Sequence, residues 1–255
     1  MSTIDIAYDD VKSIMINNVG SGGITVGESA DGKTTGAISC ADPEFLEQAT
    51  VHQSHDQLRI TMPQWRFHSP QVYVELAVPA GTGLVTSTGS ADVNIQVRLG
   101  ETKINTGSGD VGVSEAETLR CNTGSGDISV GTLTGSGSDL NSGSGDVSID
   151  RASANLQAKS ASGDVRVREF DGTLRANTAS GDIDVPSAAG VLELRTASGS
   201  VSVGVAGGLP AWLDVNSVSG EVDISLEASA QPAAGEPFVS IKASTASGDI
   251  SIFRA

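Results

Sequence analysis

An acidic corner returns at an almost fixed interval along this chain, and no other feature constrains its folding as tightly. TGSGDVGV (Thr106–Val113), TGSGDISV (Thr123–Val130), SGSGDVSI (Ser142–Ile149) and TASGDIDV (Thr178–Val185) are near copies of one another. Anchored on the acid, the series runs Asp92, Asp110, Asp127, Asp146, Asp164, Asp182, Ser200, Glu221 and Asp249, in steps of 18, 17, 19, 18, 18, 18, 21 and 28 residues. Apolar or small residues sit four, six and eight before the anchor and one and three after it. In one unit these are Thr178, Ala176, Leu174, Ile183 and Val185. Alternation with a period of two on both sides of a turn is the signature of strands. The corner is expected to use glycine for a positive φ and aspartate for bonds to nearby backbone N–H groups. A second, looser corner supplies one more inward residue: Ala116, Leu133, Ala152, Phe170, Ala188 or Ala206.

A single unit of this kind cannot bury its apolar face. Successive units must stack so that equivalent side chains form ladders. The expected fold is all-β: a single-stranded β-helix or β-solenoid with coils of about 18 residues and parallel strands ~4.8 Å apart. Residues 81–255 are its regular part, with an inserted loop at 227–238 that would cover an open sheet edge. Residues 1–80 read as irregular β coils that cap it, in one continuous domain. Their strands are expected at Val11–Ile16, Ile24–Val26, Leu58–Met62 and Val72–Val78, and GSGGITV (Gly20–Val26) reads as a degenerate repeat unit. Asp42-Pro43 fits the start of one helical turn, since Asp caps and Pro suits the first helical position.

Composition supports a narrow interior. Aromatic residues make up only 4% of the 255 residues, so large rings cannot build the core. The net charge of −16 argues against nucleic acid and anionic membrane surfaces, which need clustered Lys and Arg. Cys40 and Cys121 do not form a disulfide framework. No run approaches the ~18 apolar residues of a transmembrane helix.

The stretch VYVELAVPAGTGLVTSTGSADVNI (Val72–Ile95), followed by the Ser-Gly-Asp units through Ile252, resembles the bacterial "putative adhesin" domain of unknown function, a β-strand-repeat-containing family. The likeness covers essentially the whole chain and is most specific in its repeat half. It implies a right-handed β-helix-like fold. The family name implies adhesion, and the family supplies no catalytic residues. The acidic opening MSTIDIAYDDVKS has no apolar run of a signal peptide, which departs from a surface adhesin. The expected location is therefore cytoplasmic, with the cell surface as the alternative.

The candidate chemistry is thin. The glycine loops lead into strands, and no Lys follows them, so they are not phosphate-binding loops. Calcium-binding rolls share a coil of about 18 residues, but place a glycine-aspartate loop at both corners. Here only one corner has it. Stacked Asp110, Asp127, Asp146, Asp164 and Asp182 would repel one another and need relief, from a cation or from backbone N–H groups. The expectation is no cofactor, with structural calcium as the alternative. An outward row holds Asn105, Asn122, Asn141, Lys159, Asn177, Arg195 and Asn216, suited to amide ladders. His52, His55 and His68 lack the further ligands of a metal site and read as surface residues. Cys121 falls in an inward ladder and reads as core, and Cys40 has no basic neighbour to activate it.

Two places hold aromatic residues suited to contact. Trp65, Arg66 and Phe67 lie in a proline-bounded loop, where they would either anchor a partner or plug the core. Trp212 precedes the inward Leu213, so alternation points it outward. The expected function is a non-catalytic scaffold or protein-interaction module that associates with itself end to end or with a protein partner. A surface adhesin for glycans or proteins and a calcium-stabilised roll are the alternatives.

Overall fold

A computed structural model describes residues 2–64, 70–226 and 238–255. Nearly all of the regular secondary structure among these residues is β-strand, and they fall into two compact units, Met1–Ser129 and Val130–Ala255.

The second unit shows the repeat most plainly. Strands Val147–Ser160, Val165–Thr178 and Ile183–Arg195 run parallel. Equivalent residues lie side by side: Val147 beside Val165, Leu156 beside Leu174, and Leu174 beside Leu192. The side chains placed inward by the alternation are buried, including Ile183, Val185, Leu192 and Leu194. The second-corner residues Ala152, Phe170 and Ala188 join them, while Ala206 is half-buried. This looser corner does not interrupt the hydrogen-bonded ladder, because each 13- or 14-residue strand passes straight through it.

Space order departs from chain order in this unit. The coil Val191–Val205 does not pair with the coil that follows it, Ala211–Ser225. The C-terminal coil, strands Val239–Thr245 and Ile250–Arg254, lies between them. Leu192 and Val201 neighbour Ile241 and Ile250 on one side. Leu213 and Val222 neighbour the same Ile241 and Ile250 on the other. The expectation of coils stacked in chain order fails here. The loop expected at 227–238 lies outside the described residues but for Phe238. What the sequence left ambiguous is the choice between two similar coils.

The first unit repeats the device. Strands Ser13–Val19 and Ser21–Glu28 form a coil around Gly20. It lies between Gln57–Thr61 and Gln71–Val78 on one side and Gly83–Thr88 and the start of Asp92–Thr106 on the other. The degenerate GSGGITV unit is therefore a true coil, set directly against the first regular one: Ile16 lies beside Thr86 and Ile24 beside Val93. Two antiparallel additions flank it. Ser2–Tyr8 pairs with Thr34–Cys40, which pairs with Gln71–Val78, and Thr50–Ser54 makes a hairpin with Gln57–Thr61. Asp42 caps the single helical turn Pro43–Glu47, accepting the Phe45 N–H at 3.1 Å, and the turn buries Phe45 and Leu46. None of the described helices is long and apolar enough to cross a membrane.

Candidate functional site

The repeated corner is the first candidate. Its threonine or serine, four before the anchor, is buried in most units, and at Thr178 and Ser160 it is doubly used. Thr178 Oγ1 accepts the Gly181 N–H at 3.0 Å and donates to the Gly163 carbonyl of the neighbouring coil at 3.1 Å. Ser160 repeats both bonds, to Gly163 N–H and the Gly145 carbonyl. A buried hydroxyl costs little when both of its hydrogen-bonding roles are filled. The alternation reveals that this position points inward; it does not reveal that the hydroxyl ties two coils together.

The corner glycine is needed for a reason other than the expected one. Gly163 and Gly181 are not in the left-handed region. They let two backbones approach instead: a Cβ on Gly181 would lie 2.0 Å from the Gly163 carbonyl oxygen.

The aspartate bonds between coils. Asp146 Oδ1 accepts the Asp164 N–H at 2.8 Å, Asp164 Oδ1 accepts the Asp182 N–H at 2.8 Å, and Asp182 Oδ1 accepts the Ser200 N–H at 2.8 Å. In the first unit Asp92 and Asp110 do the same for Asp110 and Asp127, at 3.0 and 2.9 Å. In return the Val165 N–H donates to the Asp182 carbonyl at 2.9 Å. The carboxylate thus extends the backbone ladder across the corner, where strand geometry would leave an amide unpaired. Each of these five carboxylates gains an N–H donor, which offsets part of the like-charge stacking.

This ladder lines an open groove of about 540 Å³ with Asp146, Asp164, Asp182, Arg166 and Asp184 on its walls. Among the described residues no three carboxylate, thiol or imidazole groups converge as metal ligands. His52 and His55 are exposed, His52 on a strand and His55 in the turn of a hairpin, and His68 lies outside the described residues. Cys40 and Cys121 are fully buried, and burial pushes the Cys121 thiol up to about 12, which disfavours the thiolate at neutral pH.

Outward charges pair across coils. Arg151 meets Glu169 at 2.9 Å, Arg175 meets Glu193 at 3.3 Å, and Arg166 meets Asp184 at 3.4 Å. The Arg151 guanidinium holds the Glu169 carboxyl below its ordinary range. The expected amide ladder is seen where Asn122 Nδ2 donates to Asn105 Oδ1 at 3.1 Å.

The second candidate is the outermost coil of the second unit, Ala211–Ser225. Trp65, Arg66 and Phe67 lie outside the described residues, but Trp212 points outward as its place in the alternation demands and is 69% exposed. Four of the eight large apolar residues exposed among the described ones fall on this coil: Trp212, Val218, Val222 and Ile224. Phe238, at the start of the next coil, is a fifth. Ile224 occupies an inward position yet is 45% exposed, whereas its neighbour Ile252 is fully buried. Alternation identifies which face each residue takes; it does not reveal which coil ends the stack.

No curated protein matches the chain. Among solved structures, one described as a putative lipid binding protein from Parabacteroides distasonis ATCC 8503 is 19% identical, with a TM-score of 0.56, over 98% of this chain and 96% of its own. Another, described as a putative adhesin from the same organism, is 14% identical, with a TM-score of 0.53, over 98% and 96%. At such identities the likeness is one of fold. The Toastrack DUF4097 family model matches residues 11–253, and the chain, with its β-solenoid-like stack of in-register coils, belongs to that family.

Proposed function

We propose that this chain is a non-catalytic interaction module on a right-handed stack of coils of about 18 residues, acting as a cytoplasmic scaffold for a protein partner. The observation that carries the reading is the concentration of exposed apolar side chains on the coil Ala211–Ser225. Exposed apolar residues scattered singly mean little, but a cluster marks a contact surface. The polar corner residues, by contrast, are occupied in holding coils together. Photo-crosslinking tests the reading. A benzophenone side chain at Trp212 is expected to give discrete adducts in native cells, and one at the exposed Ser148 is not. A chain that gives none at either position is not such a module.

The surface adhesin is the second reading. The name of one structural relative and the charge-paired outer faces favour it. The other relative's name mentions lipid, but the interior of the coils here is filled mainly by aliphatic side chains. Fractionation of native cells separates adhesin from scaffold, because a chain held wholly in the cytosol does not meet an external surface. End-to-end self-association would use the same outermost coil, Ala211–Ser225, and a monomer at every concentration in light scattering would remove it.

A further inference from the structure

We propose that the outermost coil of the second unit takes up an added β-strand from a partner protein, one that alternates apolar residues with lysine or arginine. The proposal deepens the interaction-module reading and rests on it.

The coil has a free edge. Strand Ala211–Ser217 pairs with Val239–Thr245, strand Val222–Ser225 pairs with Ile250–Arg254, and neither has a second neighbour among the described residues. An edge of this kind offers unpaired N–H and C=O groups together with half-covered inward side chains, here Leu213, Val215, Val222 and Ile224.

Charge identifies the occupant. One outward row crosses the strands through Arg175, Glu193, Lys242 and Asp214, neighbours in register. The signs alternate, and Arg175–Glu193 and Lys242–Asp214 are ion pairs at 3.3 and 3.4 Å. The row stops on a carboxylate at the edge, so the next member of the series is a cation. A second outward row also reaches the edge on a carboxylate, Asp223 beside Ser251. Residues 209–226 hold Asp214, Glu221 and Asp223 and no lysine or arginine.

The same charges argue against other occupants. Two copies meeting edge to edge would bring these acids together. A copy arriving by its Ser2–Tyr8 strand would present the exposed Asp5. Residues 227–237 contain two glutamates and two prolines and no cation. A strand of the form apolar–Lys/Arg–apolar satisfies both the sheet and the row, as Ile241-Lys242-Ala243 does from within.

The probe is a fluorescent peptide copying residues 239–253, one whole coil with lysine at the position of Lys242. Its partner peptide carries glutamate there. With the full chain, fluorescence anisotropy is expected to show the lysine peptide bound and the glutamate peptide at least about tenfold weaker. Asp214→Lys is expected to invert that preference. Asp214→Asn, the gentler change, is expected to shrink the difference, and thermal melts of both variants check that the coil stays docked. The idea is overturned if neither peptide binds, if both bind equally, or if binding ignores residue 214. It is equally overturned if sedimentation gives a dimer that Asp214→Lys dissolves, since the edge then holds a second copy. Crosslinks at Trp212 without charge-dependent peptide binding would leave the interaction module standing and remove the added strand.

Discussion

At the scale of single residues, the corner aspartate matters as an acceptor more than as a charge. Asp164 receives the Asp182 N–H, and an asparagine carbonyl in its place can receive the same proton without the like-charge stack. Asp164→Asn is expected to melt within about a degree of the parent. Asp164→Ala, which strands the Asp182 amide, is expected to melt roughly 2–4 °C lower, the shift that one lost hydrogen bond gives in a chain of this size. Equal losses in both variants would show that the charge itself is required. Thr86 is the opposite case. It lies in an inward row between Ile16 and Ile104, fully buried, and its hydroxyl has no hydrogen-bond partner. Thr86→Val keeps the shape and removes the stranded group. It is expected to stabilise the protein by about 1 kcal/mol, seen as a higher midpoint in urea, and an unchanged or lower midpoint would mean that the hydroxyl is satisfied in solution.

At the scale of elements, most strands are legible because their faces alternate, and the helical turn is legible because Asp42-Pro43 carries the capping chemistry. Two things escape. Strands Ser2–Tyr8, Thr34–Cys40 and Thr50–Ser54 belong to no repeat and pair antiparallel, so no period announces them. The neighbours of each coil escape as well, because units built alike can pair with one another in several orders. The same limit hid the candidate surface: Trp212 is legible as outward, but the exposure of Ile224 follows only from its coil being last in space. Hydrogen exchange tests this ordering. Amides of Ala211–Ser217 are expected to exchange faster than those of Val239–Thr245, although the latter lie nearer the C-terminus, because the latter have neighbours on both sides. The reverse order would restore stacking in chain order.

At the scale of the whole molecule, the charge of −16 is spread over outer faces whose cations are mostly already paired. Repulsion among the surplus carboxylates opposes compaction. Half-molar sodium chloride is expected to raise the melting temperature by roughly 2–4 °C through screening. Millimolar calcium at constant ionic strength is expected to add nothing further, because backbone amides already relieve the corner carboxylates. A distinct rise with calcium alone would assign the aspartate ladder a cation.

The crossed order of the last coils also sets a sequence of events during synthesis. Residues 211–225 leave the ribosome before residues 239–254, yet they dock on them. Until the final coil arrives, the earlier one has only the wrong neighbour available, the coil Val191–Val205, and the inward Leu213, Val222 and Ile224 stay uncovered or mispaired. Completion of this unit therefore waits for translation to reach its last strand. A chain stopped a few residues short is marked by apolar surface that the finished protein partly hides.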